Sequence, residues 1–193
     1  MTEIPFSHFN ALRGLVSDDQ PNRAVVLSVL EGKAPGKVFG DDSGALVVGP
    51  LDFAFLLGSV DLAAAEQLLR SPWTFRPALC CSPEASASYG WQVPPHPKAR
   101  LDYRSVDISS VSGETRRVDS HLFRTCPSRD LLIAAYGSAE KALEETVGYV
   151  AMSGDEVVSE AFAAFIGGGQ GEIGTSTVPA FRGLGFATKA CAA

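Results

Sequence analysis

The sequence predicts an α+β fold, on three observations. Apolar residues recur at helical spacing in some segments, while others are short apolar runs parted by Gly, Asp, Ser and Pro. Pro77, Pro83, Pro94, Pro95 and Pro97 break the middle of the chain and mark a boundary or a long connection. The last residues read as a strand, a bend and the start of a helix. Together these place a small N-terminal α+β unit over residues 1–97, with its Pro-rich connection. A second unit of helices, an antiparallel meander and a terminal helix follows over 98–193.

In the first unit, Phe6, Phe9, Leu12 and Val16 share a helical spacing. Asn22 is placed to cap a second helix striped by Val25, Val26, Val29 and Leu30, with Gly32 just past its end. Residues 37–40, 45–48 and 52–57 are apolar runs separated by Asp41-Asp42-Ser43-Gly44 and Gly49-Pro50, the pattern of hairpin-linked strands. Asp61 caps a third helix with Leu62, Ala65, Leu68 and Leu69 on one face, and Pro72 forbids its continuation. Strands must bury one face, and these helices offer the cover.

In the second unit, residues 100–108 alternate as a half-buried strand does, with Leu101, Tyr103, Val106 and Ile108 imperfectly in phase. Residues 109–137 carry no clear period. Ser138 then starts a helix with Ala139, Ala142, Leu143 and Val147 along one side and Glu140, Lys141, Glu144 and Glu145 outward. A three-strand meander over 148–152, 157–166 and 172–178 turns at Ser153-Gly154-Asp155 and Gly167-Gly168-Gly169.

Composition narrows the functional classes. Apolar residues make up 46% and charged residues 20%, so neither disorder nor a fibrous class is indicated. A net charge of -6, with Arg116-Arg117 only a pair, argues against a nucleic-acid surface. The four cysteines, Cys80, Cys81, Cys126 and Cys191, form no C-x-x-C pair and are expected reduced and mostly buried. His8, His96 and His121 stand far apart and fit no ligand pattern, so no metal is expected. The N-terminus lacks a basic and then apolar leader, and no apolar run approaches the length of a membrane span, so a cytoplasmic location is expected.

The stretch that carries chemistry is the end of the chain, residues 171–193. Ile173 to Val178 suit a strand, Pro179 removes a backbone donor, and helix formers gather after Gly183. Gly183 and Gly185 let the backbone approach a ligand closely, and the first N–H groups of the following helix have no partner within it. Such a junction attracts anions. It is not the dinucleotide fingerprint, because Thr188 stands where a third glycine is required.

The spacing Arg-x-x-Gly-x-Ala in Arg182, Gly185 and Ala187, after a strand and Pro179, resembles the acyl-CoA pyrophosphate loop of the GNAT superfamily of N-acetyltransferases. The stretch from Gly148 to Ile166 resembles the hairpin before that loop, so 98–193 corresponds to the first half of a GNAT-like domain. Residues 36–50 and 53–59 look similar, more loosely, to the N-terminal domain of the bacterial GNAT group that includes the zwittermicin A resistance protein. In a whole domain of this superfamily a further strand, a helix and usually a hairpin come after the loop. The resemblance therefore implies that the C-terminal half, with a splayed strand and often a tyrosine general acid, is missing. It also leaves Phe186 and Ala190 on a bare apolar face through which copies of the chain would associate.

What the resemblance implies chemically is transfer of an acetyl group from acetyl-CoA to a primary amine of a small molecule, an antibiotic being one candidate. The alternative is a catalytically idle acyl-CoA-binding or protein-interaction module. Backbone N–H groups of Gly183, Leu184, Gly185, Phe186 and Ala187 would hold the pyrophosphate, and Thr177 would pair with pantetheine through its backbone. Arg182 would contact a phosphate or simply cap the strand end. Glu172, ten residues before Arg182, is the first candidate for the base that takes the ammonium proton, with a solvated residue at a hairpin mouth as the other reading. Glu160, on the face shared by Phe162 and Ile166, is the second candidate, an edge-strand solvent contact being its alternative.

Overall fold

The computed structural model describes residues 1–41, 43–51, 53–70, 78–82, 86–87 and 113–193. The strand expected over 100–108 and the stop at Pro72 lie outside these residues. The chain divides into two compact units, residues 1–94 with 134–136 and 165–171, and residues 95–133, 137–164 and 172–193.

The first unit is built on a five-stranded sheet in the order β1 (Thr2–Glu3), β2 (Lys37–Asp41), β3 (Gly44–Val48), β4 (Phe53–Gly58) and β5 (Ala78–Cys81). The β2–β3 and β3–β4 pairs are antiparallel, with Val47 opposite both Val38 and Phe55. The first turn closes because Asp41 Oδ1 accepts from the Ser43 backbone N–H at 2.8 Å. Gly44 permits the closest approach in the sheet, since a Cβ there would stand 1.9 Å from the Ser59 carbonyl oxygen. At the far edge β5 pairs with β4 in parallel. This is a strand inside the segment that its prolines mark only as a connection.

Helix α2 (Leu62–Arg70) covers one face of the sheet, packing Ala65, Leu62, Leu68 and Leu69 onto Phe39, Leu46, Val48, Leu56 and Val60. Asp61 Oδ1 caps it as expected, accepting from the N–H groups of Ala63 at 3.0 Å and Ala64 at 3.2 Å. Helix α1 (Arg23–Leu30) is buried on every side from Ala24 to Leu30. Its one hydroxyl is satisfied, Ser28 Oγ donating to the Val25 carbonyl at 2.7 Å. Asn22 does precede α1, but in the left-handed conformation at φ 52 and without a side-chain capping bond. The first helical segment, Phe6–Leu15, is a 3₁₀ helix rather than an α-helix. The spacing of Phe6, Phe9 and Leu12 by threes fits three residues per turn, and Phe9 and Leu12 are the buried pair.

The second sheet has the order β6 (Glu114–Arg117), β7 (Val147–Ser153), β8 (Glu156–Gly167) and β9 (Gln170–Thr177). The expected meander is present, with β6 added on its outer side from a stretch that shows no period. Helices α3 (Arg129–Tyr136) and α4 (Ala139–Glu145) precede it. Ser138 caps α4, its hydroxyl accepting from the Lys141 N–H at 3.1 Å. The helix stops before Val147, which opens β7 instead of extending the helical stripe. Thr146, extended at ψ 158, ends it, and its hydroxyl takes the Ala142 carbonyl at 2.7 Å.

Two positions set how this sheet aims its side chains. Gly148 faces Phe162, whose ring would lie 2.3 Å from a Cβ at that position, so glycine is what allows the ring to cross the strand. Between β7 and β8 the register slips: Ala151 faces Ser159 but Met152 faces Val157, leaving Val158 as the extra residue of a bulge.

Helix α5 (Phe186–Ala192) lays Phe186 and Ala190 on Ala151, Val158 and Ala161. Phe186 is only 5% exposed. The bare apolar face expected on this helix is therefore covered, because the bulge and the small alanines of β7 and β8 make a seat for the ring. Among the described residues no helix is long and apolar enough to cross a membrane. Of the cysteines Cys126 alone is buried, Cys80 and Cys81 are intermediate, and Cys191 is exposed, against the expectation that most would be inside.

Candidate functional site

The end of β9, the loop after it and the start of α5 enclose a cleft of about 620 Å³. Its rim is Thr175, Ser176 and Thr177 on the strand, Phe181 to Gly183 on the loop, and Gly185 to Thr188 at the helix start. The last bond from this strand to β8 is the Val178 N–H to the Val158 carbonyl at 2.9 Å, and Pro179, with no N–H to give, then opens a 3₁₀ turn over Pro179–Phe181. Gly183 at φ 77 and Gly185 at φ 85 both take the left-handed conformation that glycine adopts without penalty. Gly185 is the N-cap of α5, so the helix begins at Phe186, three residues later than the Gly183 start read from sequence. The Lys189 N–H reaches the Gly185 carbonyl at 3.0 Å. Ahead of it, the N–H groups of Phe186, Ala187 and Thr188 have no helical acceptor, and all three residues line the cleft.

The strand side is held by side chains that turn inward. Ser159, fully buried, donates its hydroxyl to the Ser176 carbonyl at 3.1 Å and lies 2.8 Å from the Thr177 hydroxyl. Arg182 Nε donates to the Thr177 carbonyl at 3.2 Å, tying the loop to the strand end. The arginine thus does bind the strand end, and its guanidinium is exposed. β9 is the last strand of the sheet order, so one edge of its backbone is unpaired among the described residues.

On the helix side, Phe181 meets Phe186 edge to face, with centroids 5.7 Å apart at 79°. Leu184 is 60% exposed and outside the lining.

The two candidate bases are not brought together here. Glu172 is exposed on β9 and does not line the cleft, as its solvated alternative has it. Glu160 is fully buried, on the Phe162 side of β8 as expected. That side faces away from α5, for Phe162 stacks edge-on with Phe123 at 6.3 Å while Ser159 and Ala161 point to the cleft and helix. Glu160 Oε1 accepts from the Ser128 N–H at the start of α3 at 2.7 Å, and Oε2 has no hydrogen-bond partner. The thiol of Cys126 lies against the same carboxylate. Burial first, and then the charge of Glu160, push that thiol up to about 12. Glu160 is thus engaged at the N-cap residue of α3, away from the cleft.

The clasp of Ser159, Ser176, Thr177 and Arg182 is what sequence reasoning missed apart from its end members. Ser159 alternates with Ala161 on the side away from Glu160, and its partner Ser176 lies 17 residues along the chain, which no local signal marks. Among the described residues no three His, Cys, Asp or Glu gather as a metal site.

Residues 98–193 match the family model described as GNAT acetyltransferase. The structure is similar to the crystal structure of a GCN5-related N-acetyltransferase-like protein from Streptococcus suis 89/1591, with a TM-score of 0.67 at 21% identity. That likeness covers 97% of this chain and 83% of the other, and it shows a shared fold. No curated protein sequence gives a significant match. The second half of the chain, residues 98–193, belongs to the GNAT acetyltransferase family.

Proposed function

We propose that this protein is an acetyl-CoA-dependent N-acetyltransferase that acts, in the cytoplasm, on a primary amine of a small molecule, an antibiotic being one such acceptor. The observation that carries the reading is the cleft at the end of β9, where two left-handed glycines and three helix N–H groups without helical acceptors face the same space. A pyrophosphate there would accept from backbone donors between Gly183 and Ala187 and lie beside the exposed guanidinium of Arg182. The pantetheine arm would run along the unpaired backbone edge of β9 at Thr177. Glu172, open to solvent on the same strand, is the residue proposed to take the proton from the acceptor ammonium. Glu160, already engaged by Ser128, is proposed to position α3.

A second reading is a module that binds acyl-CoA without turning it over. It is favoured by the lining itself, which includes no acid, histidine or tyrosine among the described residues.

Calorimetric titration with CoA tests the shared part. Wild type should bind, and Gly185→Glu should not, because an anion with a side chain would stand where the pyrophosphate approaches the backbone. Arg182→Glu, at an exposed position, should weaken binding as well. Unchanged affinity in both folded variants would reject the site. CoA release against a panel of amines then separates the enzyme from the module.

A further inference from the structure

The first unit holds a second polar hollow that acyl transfer does not use. About 460 Å³ in volume, it is lined by Asn10, Arg13, Gly14, Arg23, Leu27 and Gly168. Arg13 comes from the 3₁₀ helix Phe6–Leu15 and Arg23 from the first position of α1. Two guanidinium groups are thus aimed at one concavity in a chain whose net charge is -6.

The acids nearby do not use up this charge. Glu31 is shared: its Oε1 is 2.9 Å from Arg13 Nη2 and accepts from the Gly168 N–H at 2.9 Å, while its Oε2 is 2.7 Å from Lys33 Nζ. Asp18 lies 3.4 Å from Arg23 Nη2, but its side chain is 100% exposed. A pair so open to water is weak and readily exchanged. Three cations therefore face two carboxylates, one of which is fully in solvent.

Donors remain over as well. Arg23 Nε is shut off from water and has no hydrogen-bond partner. Buried polar atoms are nearly always paired, so an arginine retained only for packing would be expected to satisfy it. Asn10 Oδ1 accepts from Arg13 Nη1 at 3.3 Å, which commits the oxygen of that amide and leaves its NH₂ as a donor at the rim. Gly168, at φ 60, keeps the rim open: a Cβ there would lie 2.4 Å from Leu27 Cδ1 and 3.4 Å from Arg23 Nη1.

We propose that the hollow between Arg13 and Arg23 binds an oxyanion, the phosphate or carboxylate group of a small molecule. Arg23 supplies the planar fork that matches two oxygens of either group, and Arg13 and Asn10 supply the opposing donors. The volume leaves room for a small body attached to the anionic group.

The proposal does not rest on the acyl-CoA reading, and the test separates the two. The full chain at low ionic strength is titrated calorimetrically with inorganic phosphate and, separately, with acetate. Wild type should bind at least one; phosphate alone indicates a phosphate ligand, and acetate with it or instead of it a carboxylate. Arg23→Gln should weaken binding roughly tenfold or more, and Arg13→Gln should do the same. Arg23→Lys, which keeps the charge and loses the fork, should fall between. Arg117→Gln, exposed on β6, should leave binding unchanged. Binding should persist in Arg182→Glu. Failure of both anions to bind wild type, folded Arg23→Gln and Arg13→Gln variants that bind as wild type does, an equal loss in Arg117→Gln, or loss in Arg182→Glu alone would each overturn it.

Discussion

The hydroxyl of Ser159 stands 2.8 Å from that of Thr177, and the direction of the bond is set by the neighbouring one. Ser159 has a single proton and gives it to the Ser176 carbonyl at 3.1 Å, so Thr177 donates to Ser159. The end of β9, whose outer edge is unpaired among the described residues, is in this way fastened from behind. Arg182 completes the fastening by holding the Thr177 carbonyl from the loop side.

Ser159→Ala removes the acceptor of the Thr177 hydroxyl and the donor to Ser176 at a fully buried position. The expected cost is about 1–3 kcal/mol. Urea unfolding measures the loss, and hydrogen exchange should show it concentrated at residues 176 to 178. A uniform loss of protection across the chain would mean that the clasp is not local.

Phe186→Ala should cost about 3–5 kcal/mol, because the ring is almost wholly buried between β7, β8 and Phe181. The helix start then loses its anchor, and CoA binding should fall even where the variant remains folded. Denaturation and calorimetry on the same preparation check both. Retained affinity in a destabilised variant would show that the loop holds its shape without the ring.

Glu160→Gln keeps an acceptor for the Ser128 N–H and should be mild, whereas Glu160→Leu should cost about 1–3 kcal/mol by leaving that donor buried and unpaired. If Glu160 were the base, the glutamine variant would lose turnover while staying fully stable. Stability and CoA-release assays on the pair distinguish a cap from a base.

The Cys126 thiol carries a pH dependence of its own. Its value rises from 9.0 in the free group to about 12 in the folded chain, through burial first and the negative charge of Glu160 second. A folded-state value above the unfolded one means stability fully present below 9.0 and lost as pH rises from there toward about 12. Urea unfolding across the alkaline range should show the decline, and Cys126→Ala should flatten it. Alkylation of this thiol should be slow in the folded protein until that range is reached.

Most of the secondary structure was written locally. Caps such as Asp61 and Ser138 and turns such as Asp41 to Gly44 act through atoms within four residues, so they work the same way in any fold. Arg182, Gly185 and Ala187 likewise marked the candidate cleft, because a helix start that presents backbone N–H groups needs only a short run of glycine-bearing chain. The parallel strand β5 and the isolated cap of α3 could not be read this way. For β5 and the cap the reason is a partner far along the chain: Phe53 to Leu56 for β5, and Glu160 for Ser128, 32 residues away. The fate of the two glutamates was decided by the tertiary structure alone. Strand alternation put Glu160 on the Phe162 side and Ser159 on the other, but only packing turned the first side toward α3 and the second toward the cleft.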